Sequence, residues 1–130
     1  MTDKQIVGNT GLFYVCYRLS RLGWSVLPTS RNAKGIDAVI YSRDSKRRYL
    51  LQIKSLSGKE AVSIGKDTTS LHLADYLVVC RHVDRDAPEL FVIKVDDTTD
   101  RILTHNTQYW IWEKDYKNYR DDELKTIGSG

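Results

Sequence analysis

Residues 35–55 read GIDAVIYSRDSKRRYLLQIKS, two apolar runs on either side of a charged turn. The runs at 36–41 and 49–55 are rich in the β-branched, aromatic and aliphatic residues of strands, and the turn around Arg43 and Lys46 is short enough to join them as an antiparallel hairpin. Successive strand residues alternate faces, so Gln52 and Lys54 point one way and Ile53 points into the opposite layer. A hairpin turning about residues 44–46 sets Asp37 opposite roughly Ile53, within reach of both polar neighbours. An aspartate, a glutamine and a lysine then converge at one end of the hairpin.

Working outward, Leu12, Val15, Cys16, Leu19 and Leu22 recur at helical spacing with Arg18 and Arg21 on the other face, which predicts an amphipathic helix over 10–22. Asn9 or Thr10 can cap its start, and Gly23 suits the left-handed residue that leaves it. A short strand at 24–27 stops at Pro28. Downstream, the polar stretch 58–67 reads as a loop over the site with a short strand at 61–64. A short helix at 68–74 and strands at 76–80 and 90–95 follow. From Tyr109 onward a strand edge and a helix packed on the sheet are expected, and residues 126–130 are expected to be a disordered tail. The fold class is α/β.

A chain of 130 residues suits one domain over 1–130, and a hydrophobic share of 41% with 28% charged residues is that of a globular protein. No apolar run approaches the roughly 20 residues that span a bilayer, which excludes membrane insertion, and no membrane partner is expected. Residues 1–5 are polar, without the layout of a secretion signal, so a cytoplasmic location is expected. Cys16 and Cys80 sit in apolar segments, which predicts buried free thiols. Charge is uneven: residues 1–60 hold 11 Lys and Arg against 4 Asp and Glu, while residues 61–130 hold 9 against 13. The basic half holds the motif. Such asymmetry fits an anionic partner, although solvated basic side chains give the same count without one.

A polar trio at the end of apolar strands needs something to satisfy it. Hard divalent cations take oxygen ligands, which Asp37, the Gln52 side-chain carbonyl and the Ile53 backbone carbonyl can supply. Lys54 cannot be a ligand, but it can orient or help deprotonate an attacking water, or offset charge developing on a phosphate. An ion pair between Asp37 and Lys54, with Gln52 as a hydrogen-bonding spacer, would satisfy the same residues. On spacing alone that is the commoner arrangement.

With its Asp opening one strand and its Gln-x-Lys on the next, the sequence resembles the PD-(D/E)XK, or restriction-endonuclease-like, nuclease superfamily. The Gly-Ile-Asp and Gln-Ile-Lys-Ser wording looks most like Mrr-type and Holliday-junction-resolvase-like members, in which Gln can replace the second acid. The helix bearing Gly11, the Gly23-Trp24 turn and Ala74-Asp75-Tyr76-Leu77 extend the likeness to about Cys80. The resemblance implies a restriction-endonuclease-like αβββαβ core, a central mixed sheet flanked by helices, and a C-terminal helix. It implies a metal-dependent nuclease using Mg²⁺ or Mn²⁺, with Asp37 and Gln52 at the metal and Lys54 near the water. DNA is implied ahead of RNA, and by analogy a homodimer.

Two departures bear on activity. Many relatives place a Glu on the first helix, where Gly8-Asn9-Thr10-Gly11 is here followed by Leu12, and Gln52 is neutral. One negative charge opposed by Lys54 gives low intrinsic affinity for Mg²⁺ without a substrate phosphate. Asn9 can return one oxygen ligand if the turn bends inward. The alternative is a nuclease fold kept as a nucleic-acid-binding or protein-interaction module, of an accessory or immunity type. Arg31, Asn32 and Lys34 on one side of the motif, and Ser55, Lys59, Ser63 and Lys66 on the other, are candidate contacts to nucleic acid, with a solvated loop as the competing reading. His72, His82 and His105 lack ligand spacing. Trp110, Trp112, Tyr116 and Tyr119 could stack bases but read better as core. Asp96, Asp97 and Asp100 lack the spacing of a calcium loop and are expected to be exposed.

Overall fold

The computed structural model describes residues 3–30 and 35–130. Helix α1 spans Lys4–Arg21 and starts at Asp3, whose carboxylate accepts hydrogen bonds from the Gln5 and Ile6 N–H groups at 2.8 and 3.2 Å. The helix therefore begins six residues ahead of the expected start at Thr10, because Val7 and Gly11 extend the buried stripe of Val15, Cys16 and Leu19 toward the amino terminus. Asn9 and Thr10 lie within it, and Asp3 is the cap. Gly23, at φ +95°, leaves the helix as expected.

Strands β1 Ser25–Pro28, β2 Ala38–Tyr41 and β3 Arg48–Leu56 follow, then β4 Val62–Gly65, helix α2 Thr69–His72, β5 Tyr76–Arg81 and β6 Glu89–Lys94. The central sheet runs β1-β2-β3-β5-β6, with β3 and β5 parallel and the other neighbours antiparallel. Strand β5 is buried along its whole length, which explains its uninterrupted apolar sequence. On one face Val15, Leu19, Ala38, Ile40, Leu51, Ile53, Val78 and Leu90 pack with α1; on the other Leu77, Val79, Phe91 and Ile93 pack with α2 and later residues. With β4 set aside, since it joins a separate sheet, helix, three strands, helix and strand come in the expected αβββαβ order around a mixed sheet. No helix of the described residues is long and apolar enough to cross a membrane.

The hairpin register differs by one residue from expectation. Ala38 pairs with Leu51, where the ladder ends, and Asp37 N–H donates to the Leu51 carbonyl at 2.8 Å, so both residues meet Leu51 and Asp37 does not pair with Ile53. The turn sets this: Ser42 N–H donates to Arg47 O at 2.9 Å, and Ser45 adopts φ +60°. A slip of one residue exchanges faces. Gln52 and Lys54 keep to the face opposite Ile53, beside Leu77 and Val79 of β5.

The second half departs further. A 3-10 segment Val95–Arg101 and the strands β7 Leu103–His105 and β8 Gln108–Ile111 follow β6. The last two join β4 in a separate three-stranded sheet ordered β4-β8-β7, so the strand near Tyr109 does not edge the main sheet. The expected C-terminal helix is one turn, α3 Glu113–Tyr116, followed by the 3-10 turn Lys117–Tyr119. Residues 126–130 do not fray: Trp24 Nε1 donates to Gly128 O at 2.8 Å, Gly130 N to Leu22 O at 3.0 Å, and Ile127 is buried beside Trp24 and Leu124. Backbone groups, invisible in the composition of a Gly-Ser-Gly end, hold the tail.

Candidate functional site

The chain enters β2 through Gly35, at φ +69°, where a Cβ would stand 2.2 Å from the Ser70 carbonyl oxygen of α2. Only glycine fits there. Two residues on, Asp37 Oδ2 accepts a hydrogen bond from Ile53 N–H at 2.7 Å, and Thr29 N–H donates to Asp37 O at 2.9 Å. The aspartate is thus held across β3, between the positions of Gln52 and Lys54. Gln52 is 8% exposed and its Oε1 has no hydrogen-bond partner among the described residues. Burial draws the Lys54 ammonium below the ordinary lysine range, with the negative charge of Asp37 acting against that shift. None of the ion pairs among the described residues joins Asp37 to Lys54. The carboxylate faces a backbone donor instead.

Two hollows flank these residues. One, of about 310 Å³, has Asp37, Thr29 and Ser30 on one side and Gly8, Asn9 and Leu12 of α1 on the other. The α1 wall facing the aspartate carries an amide and an aliphatic side chain where an acid would supply a second charge. The larger hollow, of about 550 Å³, runs from Lys4 of α1 and Lys54 of β3 to Gln108 and Trp110 of β8.

Of the other candidate residues, Arg31, Asn32 and Lys34 lie outside the described residues. Ser55 turns onto α1, where its Oγ donates to Gly8 O at 3.3 Å, so its side chain is engaged with the helix as well as lining the larger hollow. Lys59 and Lys66 are exposed before and after β4, and Ser63 lines the larger hollow. The thiols are free and buried, and burial pushes Cys80 up to about 12. His82 lies 3.4 Å from Glu89, and His105 meets the Trp112 ring edge. Asp96, Asp97 and Asp100 are exposed.

Sequence reasoning missed Gln108 and Glu60 and misplaced two tryptophans. Tyr116 is fully buried and Tyr119 packs against the core, as expected, but Trp110 and Trp112 stay partly exposed outside both core clusters. The missed signal is alternation: Ile111, at 0% exposure, separates them and takes the buried face for itself.

As a cation site the donor set is all oxygen, which suits Mg²⁺ or Mn²⁺ rather than a soft metal. Asp37 supplies the charge, and the orphaned Gln52 Oε1 is an acceptor whose burial a ligand would compensate. No group of three or more His, Cys, Asp or Glu residues that could hold a metal occurs among the described residues. These donors would hold such an ion weakly, with a single negative charge between them.

No family model and no curated protein sequence matches the chain. Its structure is similar to that of Hjc, a Holliday junction resolvase from the archaeal hyperthermophile Archaeoglobus fulgidus, with a TM-score of 0.62 and 10% sequence identity over 88% of this chain and 98% of that one. At that identity the likeness shows the fold.

Proposed function

We propose that this chain, which has the restriction-endonuclease-like nuclease fold, is a metal-dependent nuclease that hydrolyses phosphodiester bonds of DNA. One observation carries the reading: the Asp37 carboxylate is pinned by the Ile53 N–H between Gln52, with its unpartnered buried oxygen, and the partly desolvated Lys54. Asp37, Gln52 and the Ile53 carbonyl would hold Mg²⁺ or Mn²⁺, which when bound supplies Lewis acidity toward a phosphoryl oxygen and makes water a better nucleophile. Lys54, whose burial favours the neutral amine, takes a proton at Nζ from the attacking water. Asp37 keeps its orientation through the backbone hydrogen bond, so it needs no side-chain partner. With one carboxylate present, the substrate phosphate completes the charge balance of the site. The buried free cysteines fit a reducing cytoplasm, where we place the protein. A nuclease of this type would cut both strands of a duplex as a homodimer.

Digestion of DNA with and without Mg²⁺ or Mn²⁺ tests the reading. Wild-type protein should cut only with the ion, and Asp37→Asn and Lys54→Ala should each lose at least about 100-fold in rate with unchanged circular dichroism. Cleavage that survives both substitutions would refute it.

A second reading has its own observation. Asn9 and Leu12 face Asp37 where an acid would add charge, which favours a DNA-binding module that has lost cleavage. It predicts binding that weakens steeply with salt and no turnover with any divalent ion.

A further inference from the structure

We infer that the hollow between Lys54 and Trp110 receives one unpaired DNA base beside the phosphate to be cut. The inference rests on the nuclease reading and deepens it by naming a substrate with an unpaired nucleotide at the cut.

The small sheet carries the argument. Gln108 and Trp110 alternate onto one face of β8, and Ser63, paired with Trp110 across β4, shares that face. All three line the hollow. Ile111 anchors the opposite face in the core, so the tryptophans are left for the outer surface. Trp110 is a fixed platform: its ring stacks on Trp112 at 6.2 Å with 27° between planes, its Nε1 donates to His105 O at 3.3 Å, and His105 meets the edge of Trp112. Partly exposed indoles held flat by neighbours suit base stacking, which every nucleobase offers without regard to sequence.

The charge pattern orients such a guest. Lys4 and Lys54 stand at the α1 and β3 end, where a phosphate is favoured. Glu60 lies in the same hollow, its carboxylate accepting from Ser57 Oγ at 3.2 Å. It repels a phosphate but accepts a hydrogen bond from an exocyclic amine of a base, and the Gln108 amide can donate and accept. A volume of about 550 Å³ lies within the roughly 300–1,000 Å³ of small-ligand sites. A paired base keeps both faces in the duplex stack and cannot offer one to Trp110. An unpaired base can.

The test is anisotropy of labelled DNA with the full chain in EDTA, comparing a single strand, a duplex with an unpaired nucleotide and a fully paired duplex of the same sequence. The unpaired forms should bind about tenfold tighter than the paired duplex. Trp110→Ala and Trp110→Leu should abolish that preference, and Trp110→Phe, which keeps a flat ring, should retain it. Equal binding of paired and unpaired DNA, or a preference that survives Trp110→Leu, would overturn the inference while Mg²⁺-dependent cleavage left the nuclease reading standing. Trp110-dependent binding of unpaired DNA with no cleavage under any divalent ion would support the base site and sink the nuclease reading.

Discussion

Asp37 Oδ2 accepts a 2.7 Å hydrogen bond from the backbone N–H of Ile53, sixteen residues further along the chain. This bond ties the start of β2 to the middle of β3, and the charge of Asp37 acts on Lys54.

In the proposed reaction Lys54 would set the pH dependence. Burial lowers its pKa from the ordinary 10.5, with Asp37 opposing the shift. An amine that must be neutral to accept a proton gains activity as pH rises through this lowered value, so cleavage should climb with pH and level off below the usual lysine range. Asp37→Asn removes the charge that retains the proton and should move the rising limb of the residual activity to lower pH. A pH-rate profile that falls over this range would exclude Lys54 as the proton acceptor.

In the proposed metal site Gln52 would exchange stability for ion binding. Its buried, unpartnered Oε1 carries a desolvation cost of about 1–3 kcal/mol, and its register neighbour on β5 is the apolar Leu77. Gln52→Leu should raise stability by about 1 kcal/mol in denaturant titrations without metal, and should abolish Mg²⁺-dependent cleavage. A destabilised Gln52→Leu protein would show that the amide is satisfied.

Gly11 sets how closely α1 approaches β3. A Cβ there would stand 1.9 Å from Ser55 Oγ and 2.6 Å from Ser55 Cβ. Gly11→Ala should cost about 1–3 kcal/mol by overpacking. Adding Ser55→Gly, which removes both clashing atoms, should return most of the loss in thermal melts; a cost unaltered in the double variant would place the strain elsewhere.

Glu89 anchors the far edge of the sheet. It accepts from Arg81 at 2.9 and 3.1 Å and pairs with Arg120 at 2.8 Å, and the Arg81 side chain is 9% exposed. Burial raises its pKa, but the Arg81 hydrogen bonds and the surrounding positive charges outweigh burial and hold it below the ordinary 4.5. A lowered carboxylate pKa contributes stability that is present above 4.5 and lost as pH falls through the lowered folded-state value. Glu89→Ala leaves Arg81 buried and unpaired and should cost about 3–5 kcal/mol at neutral pH. Glu89→Gln should flatten the acid limb of the stability curve, and an unchanged limb would assign it to other carboxylates.

What could be read from the sequence follows from how locally each feature is encoded. Strands β2, β3, β5 and β6 announce themselves in long apolar runs, and the Asp37, Gln52 and Lys54 grouping needs only a hairpin between two of them. The exact pairing does not, because the Ser42 to Arg47 closure depends on a turn geometry that composition leaves open. Strand β7 is three exposed residues, too short to show a period. The early start of α1 hangs on Asp3, a cap obscured by the equally suitable Asn9 and Thr10. Residue type points Trp110 and Trp112 to the core, whereas the second sheet, formed across distant segments, decides which face they occupy. The docked tail depends on the carbonyls of Gly128 and Ser129, which no side-chain pattern advertises.

We propose that Asp37, Gln52 and the Ile53 carbonyl share one divalent ion, which anomalous diffraction from a crystal of the protein soaked in Mn²⁺ can locate. A peak bounded by Asp37, the Gln52 amide oxygen and the Ile53 carbonyl is expected, and should be lost in Asp37→Asn. Full occupancy of Mn²⁺ elsewhere, with this position empty even when DNA is bound, would contradict it.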